Sequence, residues 1–110
     1  MKPRVERRPQ AKRDVFESAT YLALEAGEEV AHRFATAAEK VFRDLAERPG
    51  LGSPRWQWVH PQLVGLRSRP IPGFENWLVF YFPIDDGVEI VRVLHGAQDL
   101  EDKLASEEGR

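Results

Sequence analysis

The sequence predicts an α+β domain: an N-terminal short strand, an α-helical hairpin packed on a small antiparallel sheet in the order β-α-α-β-β-β, and a short C-terminal helix. Three observations lead there. Residues 9–26 and 28–48 repeat apolar side chains at helical spacing and meet at Gly27. Later, Trp77–Phe82 and Val88–Leu94 are dense in β-branched and aromatic residues, and the Asp86-Gly87 pair between them signals a hairpin. Upstream of both, Leu63–Arg69 alternates until Pro70-Ile71-Pro72-Gly73 breaks it, as a third strand of the same sheet would.

Val5 is the clearest apolar residue near the start, so Pro3–Arg7 reads as a short edge strand. From Pro9 or Gln10 to Ala26, the residues Ala11, Val15, Ala19, Leu22, Ala23 and Ala26 form one helical stripe that Phe16 and Leu24 widen. Gly27 supplies a left-handed stop. Glu28 and Glu29 open the second helix, where free amides favour negative charge by roughly 0.3–1 kcal/mol each. Its stripe is Val30, Phe34, Ala37, Ala38, Val41 and Leu45, broadened by Phe42 and ended by Pro49-Gly50.

Alanine in both stripes permits close approach of the helices to each other and to a sheet. Residues 49–62 hold prolines, glycines and two tryptophans, a structured loop whose aromatics fold back over an edge of the core. In the strand that follows, Trp77, Val79 and Tyr81 face one way and Leu78, Phe80 and Phe82 the other, which marks a central strand. Asp99 caps a short helix through Leu104, with Asp102 in the first turn. Residues 1–105 read as a single domain and 106–110 as a frayed tail. With the hairpin on one face of the sheet, the opposite face is expected to stay free for another macromolecule.

Composition narrows the function. At 110 residues with 42% hydrophobic and 31% charged side chains, the chain is an ordinary one-core protein, and no apolar run suits a membrane span. The charged start lacks a secretory h-region, so the cytoplasm is expected. A net charge of −2 argues against direct nucleic-acid binding driven by charge, although Arg4, Arg7, Arg8, Lys12 and Arg13 leave a local basic face open. Without cysteine there are no disulfides or thiolate sites, and His32, His60 and His95 have no metal-ligand spacing. No metal and no cofactor is expected.

Familiar catalytic motifs are missing from the sequence. Arg67, Arg69, Arg92 and His95 remain as a polar set on strands of one sheet. Alternation places Arg92 with Val88, Ile90 and Leu94, and His95 with Val91 and Val93. In the plainer reading the arginines are solvated or pair with Glu75 and Glu89. In the sharper one they bind an anion or cut RNA, the arginines stabilising a phosphorane while His95 moves a proton, with Tyr81 a second candidate. A two-helix hairpin also leaves one flank uncovered, and Phe16, Tyr21, Leu24 and Phe42 are expected there, a surface suited to a partner's helix or strand.

The order of elements, with Arg48-Pro49-Gly50-Leu51-Gly52-Ser53-Pro54, Gly65-Leu66-Arg67-Ser68, Leu78-Val79-Phe80-Tyr81 and above all the segment from Val88 to Asp99, resembles the ParE branch of the ParE/RelE toxin superfamily. That resemblance implies a type II toxin–antitoxin system, also called plasmid stabilisation, with a cognate antitoxin partner whose C-terminal segment wraps the toxin in a hetero-oligomer. ParE-like toxins are associated with blocking DNA gyrase. RelE-like relatives are ribosome-dependent endoribonucleases, the alternative in which Arg67, Arg92, His95 and Tyr81 would be catalytic. A toxin-like chain kept only as an interaction module is a third reading. Gln98 stands where ParE-like chains often carry a basic residue, and the few lysines depart from the RelE nucleases. For the antitoxin, Phe16, Tyr21, Leu24 and Phe42 are the expected apolar anchors, and Arg67 and Arg69 the contacts for an acidic segment.

Overall fold

Strand β3, Phe74–Ile84, carries apolar side chains on both faces, and in the computed structural model, which describes residues 2–108, the rest of the chain is arranged to cover them. It lies between β2 (Arg67–Ile71) and β4 (Gly87–His95), antiparallel to both, while β1 (Arg4–Arg7) pairs with β4 in parallel, giving the order β1-β4-β3-β2. The predicted α+β order of elements holds, and the sheet is mixed rather than wholly antiparallel. Gly87 makes the parallel pairing possible: a Cβ there would lie 1.8 Å from the Arg4 carbonyl oxygen. The glycine of the hairpin signal therefore admits a neighbouring strand. It is not needed for a left-handed turn, since its own φ is not positive.

Helices α1 (Pro9–Ala26) and α2 (Glu28–Glu47) pack on one face of the sheet, joined at Gly27, whose φ is 102° but whose ψ of 160° is extended rather than left-handed helical. Phe34, Ala38, Val41 and Leu45 of α2 meet Val79, Tyr81, Ile90 and Val93 in this first core, and Phe34 stands edge-on to Phe74 and Trp77. Phe42 belongs to the same core. It is 2% exposed and lies beneath the Arg7 guanidinium, so it is not one of the open-flank residues the stripe suggested.

The opposite face is not free either. Leu63, Leu66, Phe80, Val91, Leu94, Leu100 and Leu104 form a second core, with Trp56, Val59, Leu78 and Phe82 packed against it. Its lid is residues 56–66, wound through short 3-10 turns, together with α3 (Leu100–Glu108). The cause is the apolar side of β3, which costs free energy for as long as water touches it. The Asp99 carboxylate accepts the Asp102 N–H at 3.2 Å, as the predicted cap requires, but the helix runs past Leu104 through residues 106–108 of the expected tail. Residues 109–110 lie outside the described residues.

β2 begins at Arg67 rather than Leu63 because Leu63 and Leu66 turn into the second core. It continues through Pro70, which an edge strand tolerates. Ser53 pairs with Ser68 on its outer side, closing that edge to stray strands. Replacing Gly87 by alanine should lower the unfolding free energy by about 1–3 kcal/mol through overpacking against Arg4. The check is the guanidinium midpoint; an unchanged midpoint would mean that β1 is not held against β4 as described.

Candidate functional site

Helix α1 lies against β4, and one charged residue on its buried side fixes how. Asp14, 6% exposed, falls between Ala11 and Leu22 on the inward stripe, and its carboxylate accepts the Arg92 Nε–H at 2.7 Å, the Arg92 Nη2–H at 2.9 Å and the Val93 amide at 3.0 Å. Arg92 is 7% exposed and so is neither solvated nor paired with Glu75 or Glu89. Glu75 instead accepts the Gly73 amide, and Glu89 pairs with Arg8 at 3.1 Å. A bulge explains the change of phase: Phe80 pairs with Arg92 and Tyr81 with Ile90, leaving Val91 without a partner across the ladder. Val88, Ile90 and Val93 thereby face the helices, whereas Val91 and Leu94 face the second core.

Beyond the ion pair, α1 and the end of β4 leave a groove of about 390 Å³. Ser18, Tyr21, Trp77 and His95 are among its walls. The Trp77 indole N–H donates to Ser18 Oγ at 3.1 Å, and the His95 ring meets the indole edge-on at 4.5 Å. His95 Nδ1 accepts the Ala97 amide at 2.9 Å, so the neutral ring carries its proton on Nε2. Outward from the groove, α1 exposes Phe16, Tyr21 and Leu24, at 72%, 56% and 83%, and these three are the uncovered part of the predicted anchor set.

The other sequence candidates lie elsewhere. Arg67 pairs across the ladder with Tyr81, and both serve the turn after α2: Arg67 Nη1 donates to the Gly52 carbonyl at 2.7 Å, while the Tyr81 hydroxyl donates to the Pro49 carbonyl at 2.6 Å and accepts the Gly52 amide at 2.8 Å. His95 pairs with Trp77, four positions along β3 from Tyr81 and so roughly 13 Å away. Arg67, Tyr81, Arg92 and His95 are therefore not brought together around one reacting atom. Arg69 sits beside Arg67 on β2, two strands from β4 and across the sheet from the α1 anchors. Three members of the N-terminal basic cluster are in ion pairs, Arg4 with Glu6 and Asp86, Arg7 with Glu39 and Arg8 with Glu89, while Arg13 donates to the neutral Gln10.

Sequence reasoning missed Asp14 and the groove. The signal was a carboxylate inside an apolar stripe, which asks for a buried cation. Among the described residues no cluster of metal-ligating side chains occurs, and no helix is long and apolar enough to cross a membrane.

A mixed sheet with a helical hairpin on one face and its other face sealed by a loop and a short helix defines a small α+β class with two cores. A solved chain described as the chromosomal ParDE TA system from P. aeruginosa shares the fold, with a TM-score of 0.69 over 86% of this chain and 96% of that one. Their sequences are 14% identical, so that likeness concerns the fold alone. Among curated proteins none matches. The family model for the ParE toxin of the type II toxin–antitoxin system, parDE, matches residues 5–100, and the chain belongs to that family.

Two measurements test the site's framework. Asp14→Ala removes the carboxylate that accepts from Arg92 and from the Val93 amide and should cost about 3–5 kcal/mol, whereas Asp14→Leu combined with Arg92→Leu should recover only part of it, the Val93 amide staying unsatisfied. A chemical-denaturation cycle checks this, and a single-variant loss below about 1 kcal/mol would contradict it. Burial pushes the Tyr81 hydroxyl's pKa up, against the opposing pull of the Gly52 amide and of Arg67 and Arg69. The folded chain thus holds that proton more tightly than the unfolded one. The resulting stabilisation is complete below the ordinary tyrosine value of about 10 and is lost as pH rises from there through the folded value. Wild-type stability should fall in that range more steeply than that of Tyr81→Phe; parallel falls would exclude Tyr81 as the cause.

Proposed function

We propose that this protein is the toxin of a type II pair, held inactive by an antitoxin segment laid along the outer face of α1, and that once released it inhibits DNA gyrase and stops replication. The observation that carries the docking face is the exposure of Phe16, Tyr21 and Leu24 on α1, three large side chains left in water on one helix, while both faces of the sheet are covered and the other exposed large apolar residues, Trp58 and Val64, lie in the 49–66 segment. An amphipathic partner helix reads such a face through anchors three and four residues apart, the spacing that relates Tyr21 to Leu24 and to Glu17. Arg67 and Arg69, across the sheet, fit a partner segment that continues past the hairpin as an extended acidic strand.

The gyrase assignment rests on family membership. The nuclease reading has less support, because Arg67 and Tyr81 are bonded to the 49–52 backbone and Arg92 to Asp14, while His95 stands apart from Tyr81. An inhibitor needs only a surface.

Co-expression with the protein of the adjacent reading frame tests both halves. The toxin alone should arrest growth with gyrase-linked DNA damage, and the purified protein should block supercoiling while leaving messenger RNA intact on translating ribosomes. Ribosome-dependent cleavage that His95→Ala abolishes would replace this reading with the nuclease one. Leu24→Asp should weaken antitoxin capture by about 100-fold, as loss of a hot-spot anchor does, with the fold intact. Undiminished capture would move the docking face elsewhere.

A further inference from the structure

We propose that the groove between α1 and the end of β4 is a cation pocket that takes a lysine or arginine side chain of the antitoxin segment. The inference rests on the reading of α1 as the docking face and adds the chemistry of one contact within it.

Charge decides the sign of the occupant. Asp14 at the groove's floor already accepts from Arg92, the Val93 amide and the Gln10 side chain. Glu17, one turn further along α1, also lines the groove, is exposed, and has no cationic partner among the described residues. Arg13 is the cation nearest in sequence, and its guanidinium donates to Gln10 instead. The open carboxylate is thus the uncompensated charge of the groove. It repels an anion and leaves an apolar tip with no compensation for desolvating it.

The walls suit a long cationic side chain. Tyr21 and Trp77 present aromatic surface, which attracts ammonium and guanidinium groups. Val93 and Ala97 offer an apolar bed for a methylene stem, with the charged head at Glu17. The Trp77 N–H and the backbone amides of Val93, His95 and Ala97 are already bonded to Ser18, Asp14, Gln98 and the His95 ring. These donors are therefore not available to an anionic ligand. A volume of about 390 Å³ lies at the low end of ligand clefts, roughly 300–1,000 Å³.

The groove is continuous with the exposed stripe. Tyr21 belongs to both, and Glu17, Tyr21 and Leu24 follow one another along one side of α1. A segment seated on Leu24 and Tyr21 therefore passes the groove's mouth and needs only one basic residue to fill it.

The test has two arms. In the first, isotopically labelled protein is titrated with acetyl-Ala-Arg-Ala-amide and with the same peptide carrying norleucine or glutamate in place of arginine, following the Trp77 indole N–H and the Tyr21 and His95 rings. The arginine peptide should shift these signals, with binding at least about 5-fold tighter than norleucine's and weakened by salt, and the glutamate peptide should not bind. Equal binding of norleucine, or preference for glutamate, overturns the proposal. In the second, affinity for the antitoxin is measured for wild type, Glu17→Gln and Leu24→Asp. Glu17→Gln, an isosteric change at an exposed position, should weaken binding about 10-fold with reduced salt dependence. If Leu24→Asp weakens binding and Glu17→Gln does not, the cation pocket fails and the docking face stands; if neither does, both fail.

Discussion

The ion pair between Asp14 and Arg92 sets the geometry of the molecule. It joins the first helix to the last strand across 78 positions of sequence, at a point where the parallel pairing with β1 has ended and β4 has no further strand on its outer side. An unpaired strand edge beneath a helix would leave the Val93 amide buried and unsatisfied, and Asp14 supplies that bond with the same oxygen that binds Arg92 Nε. Taking two charges from water is costly, and the pair is tolerable because the carboxylate is bonded on both oxygens. Its effect is to fix where α1 lies along the strand. The groove, the orientation of Trp77 against Ser18 and the outward presentation of Tyr21 and Leu24 all follow from that position.

The second constraint comes from β3. A strand with apolar side chains on both faces must be covered twice, and 110 residues supply two helices for one side but only a loop and a short terminal helix for the other. That distribution removes the sheet as a docking surface. Ser53 pairs with Ser68 on the β2 edge as well, and the exposed large apolar side chains lie on the outer face of α1, at Phe16, Tyr21 and Leu24, and in the 49–66 segment, at Trp58 and Val64. The proposal that a partner reads this helix comes from the three large apolar side chains it exposes, and family membership independently calls for a partner.

Much of the architecture was legible because it is periodic. The two helices end where Gly27 and Pro49 say they should, and the alternation of Trp77 to Phe82 correctly marks a central strand. What stayed hidden is aperiodic. Trp56, Val59, Leu63 and Leu66 occupy one core but share no spacing, so a loop rich in proline gave no sign that it seals a whole face. The bulge at Val91 shifts the phase of β4, and alternation alone then assigns Leu94 to the wrong side. Phe42 sat at the margin of a stripe, where one helical position separates core from surface, and Arg7 closed over it from a strand that local patterning identifies only weakly.

The site illustrates why residue type is a poor guide to chemistry in so small a domain. Arginine, tyrosine and histidine on neighbouring strands suggest a reacting centre, yet here their polar atoms satisfy backbone groups: Arg67 and Tyr81 hold the turn after α2, and His95 receives the Ala97 amide. Such bonds are needed because two cores on one thin sheet bury many backbone groups that no helix or ladder satisfies. A catalytic group must instead be free to exchange protons with a substrate, and a hydroxyl such as that of Tyr81, which donates to Pro49 and accepts from Gly52, lacks that freedom. In the groove Glu17 is exposed and has no ion-pair partner among the described residues, which is why its charge is the one proposed to meet a partner.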